Sequence, residues 1–154
     1  MTSNTLFDKI IRGEIPGYIV WQDADYAAFL TPFANTPGVT VVVPKNNPGS
    51  YIFALPAEHI NGLMAAAQKV AKLLEKALQV EQVALVFEGE AVPHVHAKLY
   101  PMHGLQNDRS NFPKNQLFLN QYPGYVTTIE GPEMDDAQLQ QIQQKVQEVI
   151  DNEN

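Results

Sequence analysis

Two periods of apolar residues run along this chain. Leu6, Phe7, Ile10 and Ile11 fall at helical spacing with Gly13 as a stop signal, which predicts a short N-terminal helix. Residues 18–23 and 26–30 are rich in aromatic and branched side chains and flank Asp23-Ala-Asp25, the pattern of a β-hairpin. Pro32 and Thr36-Pro-Gly38 mark a loop. A short buried strand follows over 40–43, stopped by Pro44, and residues 46–50 read as a turn. The strongest helix spans about 56–78, where Ile60, Leu63, Met64, Ala67, Val70, Ala71, Leu74 and Leu78 form one stripe. Pro56 suits its first turn.

Beyond it, 83–87 predicts a strand, Glu88-Gly89-Glu90 a turn, and 93–100 a strand ended by Pro101. Residues 102–123 form a long polar connection, and 125–129 reads as a last strand. From Asp135 or Asp136 a Gln-rich helix carries Leu139, Ile142, Val146 and Val149 on one side. Strands joined by hairpins around one long helix indicate an antiparallel α+β fold. A parallel doubly wound sheet would need several crossover helices, and only one good one is present.

A length of 154 residues gives one domain with a proper core, running 1–154 without a linker. With 45% apolar and 18% charged residues the chain can bury a core and is not of the disordered class. The net charge of -7 argues against binding nucleic acid polymers, which need a broad basic face; a small phosphate ligand held by a local cluster of donors remains compatible. Cysteine is absent, which excludes disulfides, thiolate catalysis and zinc ribbons. The first residues lack a basic segment followed by an apolar run, and no stretch approaches bilayer-spanning length. The expectation is a soluble, cytoplasmic protein without membrane attachment.

The chemistry concentrates in Pro93-His94-Val95-His96-Ala97-Lys98-Leu99-Tyr100-Pro101. Alternate side chains of a strand share a face, so His94, His96 and Lys98 are expected to project together, away from Val95, Ala97 and Leu99. Three readings fit that spacing. The first is the exposed polar face of an edge strand. The second is a metal site, which would need further ligands from His59, His103 or acidic residues and would set Lys98 against the cation. The third is a phosphate site with a histidine nucleophile, one ring nitrogen attacking phosphorus while the other is held in a hydrogen bond.

The segment His94-Val-His96-Ala-Lys98-Leu-Tyr-Pro101 resembles the signature of the histidine-triad (HIT) superfamily, with Lys in place of the third His. Residues 7–16, Phe29-Leu-Thr-Pro32 and residues 36–45 are similar, in order, to that family's opening helix, its Phe-x-Asp-x-x-Pro segment and its strand ending in Pro-Lys. The resemblance covers about 4–101 and implies a five-stranded antiparallel sheet with a long central helix and a short N-terminal helix. Residues 102–154 then add a long loop, the last strand and a C-terminal helical extension. It also implies a homodimer and a nucleoside phosphate or dinucleoside polyphosphate as ligand, with no cofactor and no metal.

By the same resemblance His96 is the nucleophile that forms a nucleotidyl-histidine intermediate, and His94 orients it. Leu6, Phe7, Ile10 and Phe29 line the base pocket, although each also suits a plain core. Gly89 lies in the phosphate loop, where its backbone could approach a ligand. The activity implied is that of a hydrolase or nucleotidyl transferase; the competing class is a non-catalytic nucleotide-binding or dimeric interaction protein of the same fold.

The departures concern the activity. Lys98 is cationic and able to steady phosphate charge, but its ordinary pKa suits proton shuttling poorly. Thr31 stands where the family carries a ribose-binding Asp, and Val39 and Asn47 stand where it often carries His. Glu88 and Glu90 flank Gly89 in a shortened phosphate loop, where carboxylates would repel a phosphate unless turned away or bound to a sugar. His103, Arg109 and Lys114 are the basic residues of the long connection, a candidate lid, dimer contact or disordered tip.

Overall fold

The computed structural model describes residues 4–104 and 133–152. In chain order these form α1 (Leu6–Ile11), β1 (Tyr18–Gln22), β2 (Tyr26–Leu30), β3 (Thr40–Pro44), a 3-10 turn at Ile52–Ala54, α2 (Ala57–Leu78), β4 (Val83–Glu88), β5 (His96–Pro101) and α3 (Asp136–Asn152). The predicted strand at 125–129, with Arg109 and Lys114, lies outside the described residues.

The strands pair antiparallel in one sheet of order β1-β2-β3-β5-β4. The β1–β2 turn forms because Asp23 Oδ1 accepts from the backbone N–H groups of Asp25 and Tyr26 at 2.9 and 2.8 Å, which lets a carboxylate close the turn. α2 carries the chain from β3 to the far edge, β4, and β5 returns between them.

Side-chain alternation divides the sheet into two faces. Ala28, Leu30, Val42, Ala97 and Leu99 point towards α2 and join Leu63, Ala67, Val70 and Leu74 in the main core. Ala27, Phe29, Val41 and Val43 point the other way and pack under Phe7 of α1. Covered on both sides, every residue of β3 is buried, which explains its unbroken Val run.

The α2 stripe needs one correction. Met64 is exposed, whereas Ala66 and Leu73 are buried. The reason is α3, which packs along the flank of α2 and inserts Leu139, Ile142 and Val146 into the main core. Periodicity within α2 alone could not report a partner that arrives some sixty residues later.

Candidate functional site

α1 is short, yet its start is firmly built. Thr5 and Asp8 form a reciprocal capping box: the Asp8 N–H donates to Thr5 Oγ1 at 3.2 Å, and the Thr5 N–H donates to Asp8 Oδ2 at 2.7 Å. The box satisfies amides that a free helix end would leave open, and it fixes Phe7 against the sheet. The Phe7 ring lies 5.3 Å from Phe29, 5.9 Å from His94 and 5.0 Å from His96, centroid to centroid, the last contact edge-on.

His94 stands two residues before β5, so the predicted strand over 93–100 begins late, at His96. The cause is a network that ties this stretch to the loop after β3. The Val95 N–H donates to the Gly49 carbonyl at 2.8 Å, and Asn47 Nδ2 donates to the Pro93 carbonyl at 2.9 Å. His94 is fully buried. Its Nε2–H donates to the Pro44 carbonyl at 2.8 Å, while Nδ1 lies 3.2 Å from Thr5 Oγ1 and 3.7 Å from Asp8 Oδ1. Burial pushes the imidazole below its ordinary pKa, against the Pro44 carbonyl and Asp8, which favour the cation. The Thr5 hydroxyl donates to Asp8 Oδ2 at 2.8 Å and borders Nδ1 at the longer distance, so the proton of the neutral ring sits on Nε2, towards Pro44.

His96 is nearly as buried, at 5% exposure. Its Nδ1 lies 2.9 Å from the His94 carbonyl oxygen. A carbonyl can only accept, so Nδ1 carries the proton and Nε2 is the nitrogen available for chemistry.

Sequence reading missed the partner of that nitrogen. Glu88, expected in a turn, is the last residue of β4 and pairs directly across from His96, so the two side chains share a face. Glu88 Oε2 lies 3.5 Å from His96 Nε2 and 3.7 Å from Lys98 Nζ. When His96 Nε2 also bears a proton, that contact, helped by the Lys98 charge, holds the Glu88 carboxyl below the usual carboxylate range despite partial burial. Lys98 Nζ also sits 5.8 Å from the centre of the Tyr100 ring.

The remaining expected residues fall in three groups. Phe7 and Phe29 are buried together beside the histidines, with Ile10 packed against their cluster. Leu6 is exposed on α1. Thr31 lies past the end of β2, where its hydroxyl accepts the Phe33 N–H at 3.3 Å. Gly89 is buried and packed on its own chain: an added Cβ would fall 1.9 Å from the Ser50 carbonyl oxygen. Its N–H donates to Glu90 Oε2 at 3.0 Å, so the close approach that this glycine permits is to Ser50.

His103 is exposed and lies 2.9 Å by Nε2 from the Pro37 carbonyl oxygen. Among the described residues, no three His, Cys, Asp or Glu side chains gather closely enough to hold a metal ion. A surface cleft beside β1, lined by Trp21, Lys69, Leu73, Gln147 and Ile150, shares no residue with the histidine cluster.

The pattern carried by 12–104, from the end of α1 through β5, matches the HIT domain family. The chain belongs to that family. An uncharacterised HIT-like protein of Saccharolobus solfataricus is 30% identical over 101 residues, covering 62% of this chain and 72% of the relative. A Hit-like protein from Bartonella henselae, described as involved in cell-cycle regulation and solved with an unknown ligand, superimposes with a TM-score of 0.67. It is 27% identical and covers 95% of this chain and 96% of its own. A HIT family hydrolase from Legionella pneumophila has a TM-score of 0.56 at 28% identity, covering 67% of this chain and 95% of its own.

HIT fold proteins bind nucleotides in general, and the family includes hydrolases and transferases. The five-stranded sheet, long central helix and C-terminal helix of this HIT protein are those expected from its sequence. Among the described residues, no helix is long and apolar enough to cross a membrane.

Proposed function

We propose that this HIT protein is a cytoplasmic nucleoside-phosphate hydrolase or nucleotidyl transferase in which His96 is the nucleophile. The observation that carries the reading is the 2.9 Å contact of His96 Nδ1 with the His94 carbonyl, which reserves the Nε2 lone pair for attack. In the first step an Nε2–P bond forms, and the phosphorus–oxygen or phosphorus–nitrogen bond breaks with its electron pair going to the leaving atom, a leaving nitrogen taking a proton from solvent. The ring becomes cationic, with its Nδ1–H still donating to the His94 carbonyl. In the second step water or an acceptor hydroxyl attacks phosphorus and releases its proton to solvent, the N–P bond breaks with its electron pair returning to Nε2, and His96 returns neutral.

Lys98 balances charge on the phosphoryl oxygens. His94 acts through its carbonyl as a positioning residue, itself held by Pro44 and Thr5. Phe7, Phe29, Ile10 and Leu6 would supply the apolar contacts to a base, and Thr31 and Gly89 are carried as nucleotide contacts by the family resemblance alone.

Intact mass spectrometry after mixing with a nucleoside phosphoramidate or a dinucleoside polyphosphate tests the mechanism. A nucleotidyl adduct is expected in the native protein and not in His96→Ala. Absence of any adduct, together with unchanged turnover in His96→Ala, refutes it. The competing reading, a nucleotide-binding or interaction protein without efficient turnover, is favoured by the Lys98 contact with Glu88, since that lysine is already engaged. Lys98→His separates the two: a sharp rise in hydrolysis speaks for the binding protein, and loss of an existing activity for a working Lys98. Among the described residues β4 is one of the two edge strands of the sheet, where two copies could pair, and light scattering would read the dimer.

A further inference from the structure

Glu88 puts a negative charge where a phosphate ligand would have to arrive. A phosphorus poised for attack stands about 3–3.5 Å from its nucleophile. Glu88 Oε2 already lies 3.5 Å from His96 Nε2, and the same oxygen lies 3.7 Å from Lys98 Nζ. One carboxylate oxygen therefore occupies both the approach to the nucleophile and the cation that would steady the phosphoryl group.

The backbone cannot withdraw to relieve this. Glu88 is paired with His96 in the sheet, and Gly89 after it is pressed against Ser50. The side chain can withdraw, because it sits at the rim with 24% of its surface exposed, whereas His96 and Lys98 are at 6% and 12%. Its neighbour Glu90 is exposed and engaged with the Gly89 N–H, and does not face the histidines.

We propose that Glu88 is a specificity-determining residue: its carboxylate acts as an internal anion between His96 and Lys98, and a phosphoryl group binds only by displacing it. The proposal rests on the reading above in taking phosphate as the ligand, but it does not require that His96 become covalently modified. Exchange of one anion for another keeps Lys98 paired throughout, so the site selects ligands whose charge on the phosphoryl group is high enough to replace the carboxylate. A group without negative charge gains too little from Lys98 to do so.

The test is a titration of the full chain with inorganic phosphate, followed by NMR of the histidine side chains. Glu88→Gln preserves size while removing the charge, and is expected to bind phosphate roughly tenfold more tightly, a conservative figure for removal of a close like charge at a partly exposed position. The gap between the two proteins should narrow as pH falls and the native carboxyl takes a proton. Lys98→Gln in the Glu88→Gln background should return the affinity to or below the native value. Should Glu88→Gln misfold, Glu88→Ala and the native pH series carry the same comparison.

Equal or weaker phosphate binding without the Glu88 charge overturns the proposal, as does absence of phosphate binding in every protein. Adduct formation is scored separately. A chain that never becomes nucleotidylated but binds phosphate more tightly without the Glu88 charge refutes the nucleophile and leaves the internal anion standing.

Discussion

The Phe7 ring touches both histidines, and its removal tests how the site is held. It is 7% exposed and lies against Phe29, His94 and His96. Truncating a buried Phe to Ala costs about 3–5 kcal/mol, the sum of lost transfer energy and the cavity left behind. α1 has only six residues, and Ile10 and Ile11 pack beside Phe7 against the same cluster, so the helix can settle partly into the gap. The lower end of the range, about 3 kcal/mol, is therefore expected for Phe7→Ala.

At roughly 2–4 °C per kcal/mol for a chain of this size, the midpoint should fall by roughly 6–12 °C. Urea unfolding is a convenient assay, because the single tryptophan, Trp21, is buried in the main core, away from the substitution. Its fluorescence reports global unfolding without sensing the lost ring directly. Phe7→Leu should lie between the two. A loss below about 1 kcal/mol, with nucleotide binding unchanged, would refute the claim that α1 is locked onto the sheet through Phe7.

Two further predictions concern acid and the loop after β4. His94 titrates below its ordinary value of 6.5, so the unfolded chain binds its proton first and stability falls as pH drops from about 6.5 towards the folded value; Glu88, also lowered, adds a second loss of the same sign below 4.5. Urea midpoints across pH 4–8 check this, and His94→Gln should flatten the upper part of the profile; a native profile that is flat or rises towards acid contradicts it. In Gly89→Ala the new methyl would meet the Ser50 backbone at 1.9 Å, so a loss of about 1–3 kcal/mol is expected. Gly62→Ala is the control, since its closest contact, at 2.0 Å, is the movable hydroxyl end of Tyr26, and it should cost distinctly less on the same denaturation assay.

The element order was legible because each strand is short and bounded by turn residues, and α2 is long enough for its period to be unambiguous. Boundaries slipped where side chains capture the backbone. His94 was expected inside the strand because the polar–apolar alternation runs unbroken through Val95, but Asn47 and Gly49 claim the groups that strand pairing would have used. Glu88 was read as part of a turn because Gly89 follows it. Only the registration of β4 against β5 puts it opposite His96, and that depends on the shape of the 89–95 connection.

Thr5 and Asp8 were the better-signalled omission. A Thr followed three residues later by an acid, immediately before an apolar run, is the sequence mark of a capping box. What it could not disclose is that Thr5 Oγ1 also reaches His94, eighty-nine residues away.

The matched stretch 12–104 begins after Ile11 and stops before Asp136, so neither α1 nor α3 falls within it. A fragment cut to those limits would lose cover in two places: Phe29 and Val41 on the sheet bared where α1 had rested, and Ala66 and Leu73 of α2 bared where α3 had lain. Such a truncation should aggregate on expression, and the two helices outside the matched stretch are thus what make this version of it a folded body.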